Sequence, residues 1–542
     1  MYILKRIILI TLLTLAMSYI LEGSEAVGLN SFKPSLEVNY ATNEYILSWP
    51  RLPYLAYYKI EALNTPPIDD HKDVDDSQRI VSYHTWKNQF SIDEHFPFHT
   101  YWRVSAQTLF HKPLGKYSNH ISLTEASGRT AEEFDKVKPM PTSSYPVNAP
   151  ASLRPMLTWT LVPNAVYYEL EFLTMLPENP NDVLPSENQL RLTREVFTNG
   201  YNADFSWYEG NRIFWRVRAL NYKGNPLGVF SNATEIWIDR NINPVVKPLI
   251  NNHYKPATLP TPLYPAYAWI PVFGAVSYEV ELTNQPPENP GGIEASNHRI
   301  WSKTVTGLND CYDDQPRIVP GKYYWRVRGI DAGGNPVGGY SDTAEFTVDL
   351  TRGQYCATFG DSITHGGGAI SYSPADTDYS YQTYLHFPAV NLGKSGDTSE
   401  TMLARFDHDV LPFKPKYLII LGGTNSLRGG VPSAQVISEL AAIRDKCLIN
   451  GIRPIFLTLP PINPAAIDAA FNEETVSNWR EEFDAVNNFI RQQRYFIDLE
   501  PHFVDSNREL PDHFATDGLH PDIEGKKLMG QIINAHWTRV VR

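Results

Sequence analysis

Cysteine is nearly absent, with only Cys311, Cys356 and Cys447 in a chain of 542 residues. So small and odd a count excludes a disulfide framework. None of the three has metal-site spacing, so they read as buried free thiols, Cys356 in a strand-like run and Cys447 in a helix-like one. A basic excess is also lacking: 47 Lys and Arg face 60 Asp and Glu, for a net charge of −13. With no surplus cation to neutralise phosphates, nucleic acid and anionic membrane surfaces are set aside as partners. Long hydrophobic runs are missing too. The apolar stretch at 7–17, behind Lys5 and Arg6, extends at most to Leu21 with Ser18 inside it, short of the roughly 20 residues of a spanning helix. Ser24 and Ala26 follow at the small-residue positions of a cleavage site, so residues 1–26 are predicted to be a secretory signal peptide, with an uncleaved anchor as the alternative. A secreted or cell-surface protein is therefore expected.

What is present is repetition. Trp49, Trp159 and Trp269 recur at intervals of 110 residues and open the related stretches ILSWPRLPYLAYYKIEAL, LTWTLVPNAVYYELEFL and YAWIPVFGAVSYEVELT. A second anchor returns as YWRVSA, FWRVRAL and YYWRVRGID, followed by PLGKYSN, GNPLGVFSN and GNPVGGYSD. Apolar and polar residues alternating around Trp, Tyr and Val, punctuated by Gly, Pro and Asn, predict antiparallel strands. Repeats of this size suit small β-sandwiches, with the recurring aromatics in their cores rather than on a sugar-binding platform. Their pattern resembles fibronectin type III domains, placed at 30–126, 145–240 and 255–350. Proline-rich joints at 138–155 and 243–265 read as semi-rigid spacers.

From residue 354 the rhythm changes. The short apolar runs YCATF, AVNL, YLIIL, PIFLTL and YFIDL alternate with helix-like stretches, among them 433–450 and 475–492. In the first of these Val436, Leu440, Ile443 and Cys447 fall at helical spacing, with Gly451 as a stop. Apolar strands alternating with helices predict a doubly wound α/β domain over 352–542, its five-stranded parallel sheet covered on both faces. Sites in such sheets form beyond the carboxyl ends of the strands.

Four segments place chemistry there. GDSIT at 360–364 exposes Ser362 just after a buried strand. GKSGD at 393–397 brings Gly393 backbone close to any ligand, and GGTN at 422–425 presents the Asn425 amide. TDGLHP at 516–521 sets Asp517 and His520 three residues apart, with Pro521 suited to the first position of the last helix. Together they supply a nucleophile, a base, an orienting carboxylate and hydrogen-bond donors, the set that acyl transfer needs. His365 and His513 lack a third ligand at metal-like spacing and read as pocket-wall or surface residues. Glu473, Glu474, Glu481 and Glu482 read as a solvated helix face.

The order and content of these blocks resemble the SGNH (GDSL-type) hydrolase family over about residues 352–538, where the fold is flavodoxin-like. The resemblance implies Ser362 as nucleophile, His520 as general base and acid, and Asp517 as its orienter. It implies an oxyanion hole of the Ser362 and Gly393 backbone N–H groups and the Asn425 side chain. Many members carry Asp after the third-block Asn, whereas Ser426 stands here. No Gly-x-Ser-x-Gly elbow surrounds any candidate serine, which disfavours the α/β-hydrolase fold. The implied activity is an esterase needing no cofactor and no metal. Its substrate would be an acylated small molecule, glycan or lipid, with short-acyl carbohydrate esters in first place and glycan or cell-surface contact through the sandwiches left open. The competing readings are a lysophospholipase or short-chain lipase and a surface binding protein with an inactive hydrolase domain.

Overall fold

In the computed structural model the alternation around each repeated tryptophan folds into two small antiparallel sheets over one core. The structure describes residues 34–39, 44–52, 57–92, 100–108, 113–122, 136–222, 224–253, 259–307 and 309–542; the expected leader at 1–26 lies outside them. The chain divides into two compact units. One holds 1–138, 181–185 and 223–230, and the other 139–180, 186–222 and 231–542. No helix among the described residues is long and apolar enough to cross a membrane.

In the first repeat, Ser35–Asn39, Glu44–Ser48 and Gln89–Ile92 make one sheet, and Arg79–Thr85, Tyr57–Leu63 and Tyr101–Gln107 the other. The second repeat pairs Met156–Thr158 with Gly200–Asn202 beside a four-stranded sheet, and the third pairs Ala266–Ile270 with Leu249–Ile250 and Asp310–Tyr312 beside a five-stranded one. The recurring tryptophans are buried, and each meets the ring of a tyrosine nine residues on, Tyr58, Tyr168 or Tyr278. The tyrosine hydroxyl in turn accepts from the backbone N–H of Leu52, Val162 or Val272.

A second recurrence was not foreseen from the sequence. Each repeat buries a complete ion pair across neighbouring strands: Arg103 with Glu61, Arg216 with Glu171, and Arg326 with Glu281, all six side chains without exposure. The rest of each guanidinium donates to loop oxygens, those of Asp70 and Lys72, of Asn179, or of Asn289 and Glu294. Such a pair is tolerated in the interior only when its remaining donors find partners, and these do, so each Arg fastens a long loop to the sheet.

In the last third of the chain the predicted strands form one parallel sheet: β1 (Cys356–Gly360), β2 (Val390–Asn391), β3 (Tyr417–Leu421), β4 (Arg453–Leu457) and β5 (Phe496–Ile497), in the order β2-β1-β3-β4-β5. The helices are α1 (Ser362–His365), α2 (Ser399–Asp409), α3 (Thr424–Arg428), α4 (Ser433–Ile449), α5 (Pro464–Phe471), α6 (Trp479–Arg491) and α7 (Ile523–Val541). Helix α4 buries the four residues its spacing singled out. Helix α6 starts later than the sequence pattern, at Trp479, and α7 starts at Ile523 behind Asp522, two residues past Pro521. All three cysteines are buried and unpaired.

Candidate active site

Chain reversal after β1 (Cys356–Gly360) sets the Ser362 segment. Asp361 follows the strand in extended conformation, and its Oδ1 accepts from Ile363 N–H at 3.0 Å, which starts α1 with Ser362 in its first position. Burial pushes the Asp361 carboxyl up to about 6. At the other end of the domain, Asp517 Oδ1 accepts from Leu519 N–H at 2.8 Å and His520 N–H at 2.7 Å, closing a tight turn. Gly518 has φ +75° there, and a Cβ would lie 2.5 Å from Asn463 O, so the turn admits only glycine.

The turn aims the imidazole. His520 Nδ1 lies 2.7 Å from Asp517 Oδ2, and Nε2 lies 2.9 Å from Ser362 Oγ. A carboxylate accepts only, so Nδ1 carries the proton and Nε2 is free to accept from the hydroxyl. Burial works to raise the Asp517 carboxyl, but the His520 ring and the two turn N–H groups outweigh it and leave its pKa below the ordinary value.

The donor positions follow β2 and β3. Gly393, expected to donate, does not face this cleft: its N–H is taken by Asn391 Oδ1 at 2.9 Å, and Asn391 Nδ2 holds His365 O at 3.0 Å. Three residues on, Gly396 has φ +86° and lines the cleft with Ser362, Asn425 and His520. Of the two glycines in the GKSGD loop, it is Gly396 that lines the cleft. Asn425, in α3, donates one amide hydrogen to Asp397 O at 2.9 Å and keeps the second. Arg405 braces this loop, donating to the Asp397 carboxylate, Leu392 O and Gly360 O. Ser426, where Asp was expected, accepts from Ser399 N–H at 3.0 Å and bonds its hydroxyl at 2.9 Å, so it ties the third block to the start of α2.

Asp522 was also missed. Its buried carboxylate accepts from Ala369 N–H at 2.9 Å and from both Thr516 N–H and its hydroxyl, joining the Asp517–His520 turn to the loop behind the nucleophile. An acidic residue after His-Pro at a helix start was the available signal. His513 is exposed, whereas His365 lines a separate cavity rather than the cleft. It is buried, with Nε2 on Tyr264 O at 2.7 Å and Nδ1 on Ser395 Oγ at 2.8 Å, and burial drives its pKa down to about 4. Of the glutamates expected on a solvated helix face, Glu473, Glu474 and Glu481 are exposed; Glu473 lies ahead of α6, borders the cleft and pairs with Arg428 at 2.8 Å, and Glu482 accepts from the N–H of Ser433, the first residue of α4. The cleft is an open cavity of about 350 Å³.

Residues 358–528 match the model of the GDSL-like lipase/acylhydrolase family. The chain is 31% identical over 151 residues to esterase TesA of Pseudomonas aeruginosa, covering 27% of this chain and 65% of TesA. It is 42% identical over 79 residues to the uncharacterized lipoprotein YqeF of Bacillus subtilis, 14% of this chain and 32% of YqeF. The chain thus spans less than two thirds of either relative. Among solved structures, the lipase/acylhydrolase of Enterococcus faecalis aligns with 24% identity and a TM-score of 0.29, over 34% of this chain and 97% of that one. The C-terminal domain of this chain is a GDSL-like lipase/acylhydrolase domain.

Proposed function

We propose that the chain is a serine esterase. One observation carries the reading: the hydrogen-bonded run from Ser362 Oγ through His520 to the Asp517 carboxylate. His520 Nε2 takes the hydroxyl proton as Oγ attacks the acyl carbon, then returns it to the departing alcohol. Water, deprotonated by the same nitrogen, releases the acid from the acyl-enzyme. Asp517 stays ionised throughout and stabilises the imidazolium. The Ser362 and Gly396 N–H groups and the second amide hydrogen of Asn425 serve as oxyanion donors, each worth about 10²–10³ in rate.

Short acyl groups such as acetyl, carried on carbohydrate, fit the cleft best. It is small and open, and Ser371, Ser373, Ser395, Asn425 and the Arg428–Glu473 pair stand in its lining beside Ile370, Phe471 and Leu519, whereas a long acyl chain needs an extended apolar groove. The pattern of residues 1–26 supports export, as does the lipoprotein name of one relative. The first two repeats, within the limits expected for them, act as fibronectin type III-like spacers.

Hydrolysis of p-nitrophenyl acetate, butyrate and longer esters, with Ser362→Ala as control, tests the reading. Activity that falls beyond butyrate and drops by about 10³ or more in the variant is expected. A rise with chain length would move the substrate to lipids, and activity untouched by Ser362→Ala would sink the mechanism.

A further inference from the structure

The strand pair Ala266–Ile270 and Asp310–Tyr312 belongs to the third repeat, yet it reaches the catalytic cleft. Tyr312 pairs with Ala266 across it. In the earlier repeats the corresponding positions, Ile92 opposite Tyr45 and Asn202 opposite Met156, are buried non-aromatic residues, and Asn202 Oδ1 accepts from Phe273 N–H of the third repeat at 2.9 Å. Asn202 donates to the carbonyls of Arg154 and Pro155. Tyr312 is only half-buried, and it lines the same cavity as Ser362 and His520. Its hydroxyl donates to Ser371 O, and its ring meets His365 edge-on with centroids 5.6 Å apart. Both contacts fix the ring before any ligand arrives. Phe471, at the end of α5, borders the cavity as well, with its ring edge-on to His520 at 6.0 Å.

Resting on the esterase reading above, we propose that Tyr312 is a specificity-determining residue for the alcohol half of the substrate, giving a sugar ring a fixed aromatic wall beside Ser362. A pre-oriented tyrosine offers a flat apolar area at little entropic cost. The apolar C–H face of a pyranose matches it, while the serine-rich remainder of the cleft suits the hydroxyl groups. A short alcohol does not extend to the wall and gains nothing from it.

The test compares two acetate esters that share the acyl group and the chemistry, ethyl acetate and peracetylated cellobiose, by pH-stat with the full chain. Tyr312→Ala is expected to lower kcat/KM for the sugar ester by about tenfold or more, mainly through KM, and to leave ethyl acetate within about twofold. Tyr312→Phe keeps the ring and is expected to restore most of the sugar-ester rate, which also guards against misfolding in the alanine variant. Equal losses on both esters, no loss on either, or a wild type that cleaves ethyl acetate but not the sugar ester would each overturn the proposal. A wild type inert toward both, and indistinguishable from Ser362→Ala, would remove the esterase reading itself.

Discussion

The second and third repeats are built alike: the same tryptophan–tyrosine contact, the same buried Arg–Glu pair, the same serine hydroxyl (Ser231 or Ser341) accepting from a strand N–H. They part company in one strand. Met156–Thr158 buries alternate residues, with Leu157 inward and its neighbours half-exposed, whereas Ala266–Ile270 is buried at every position. Tyr267 and Trp269 fill the repeat's own core, while Ala266 and Ala268 pack against Ile370, Tyr372, Ala375 and Tyr379 of the loop after α1. Backbone bonds from His253 N–H to Ala375 O and from Leu263 N–H to Asn391 O continue the junction. A sandwich sheet whose outer face is lost to solvent has been covered by a neighbour, and here the neighbour is the active-site loop. The third repeat packs into the domain that carries Ser362 and His520.

The sharpest way to break this comparison is to charge the outer face. Ala268→Arg places a cation where nothing can solvate it, at a cost of several kcal/mol, and esterase activity should vanish with the melting of the catalytic unit. Thr158→Arg, 110 residues earlier and half-exposed, should change stability by less than about 1 kcal/mol. Next in size, Glu171→Leu and Glu281→Leu each strand a buried arginine and should cost about 3–5 kcal/mol in denaturant unfolding. Only the second should also lower activity on the sugar ester, because only that repeat carries Tyr312.

His365 gives a third contrast, read in pH. Its buried ring takes a proton only near pH 4 against 6.5 when unfolded, and Arg405 and Lys526 add repulsion to the charged form. Between these values the unfolded chain binds the extra proton, so stability falls with falling pH, by about 3 kcal/mol at most. Replacing the ring by His365→Asn should flatten the slope of Tm against pH in that window, whatever it does to Tm at pH 7; an unchanged slope would assign acid sensitivity elsewhere. The smallest effect expected of a change inside the catalytic domain is that of Tyr264→Phe. It removes the buried bond from the Tyr264 hydroxyl to Asp409 Oδ2 at 2.7 Å, a loss of about 1–2 kcal/mol by thermal unfolding of the catalytic unit.

These differences also mark how far the sequence could be read. The parallel sheet was legible because its strands are continuous apolar runs, and α4 because Val436, Leu440, Ile443 and Cys447 keep helical spacing. Ser362, Asp517, His520 and Asn425 were legible because each lies at a strand end or helix start. Gly393 and Gly396 were not separable, since glycine spacing does not say which residue lines a cleft and which has its N–H taken by Asn391. The buried roles of Arg103, Arg216 and Arg326 were not legible, because the loops that cover them come from 30 or more residues away. Ala266 and Ala268 carried the least signal, because an alanine facing a neighbouring domain and one facing water look the same in sequence.

A practical boundary follows from the burial of Ala266 and Ala268. Protein engineers who trim at residue 352, the expected start of the α/β domain, would strip the cover from Ile370, Tyr372 and Tyr379 and leave the loop after α1 wet and unsupported. The portable cassette starts no later than Leu249, and any fusion or display format that needs an active hydrolase should keep the third repeat attached as its lining.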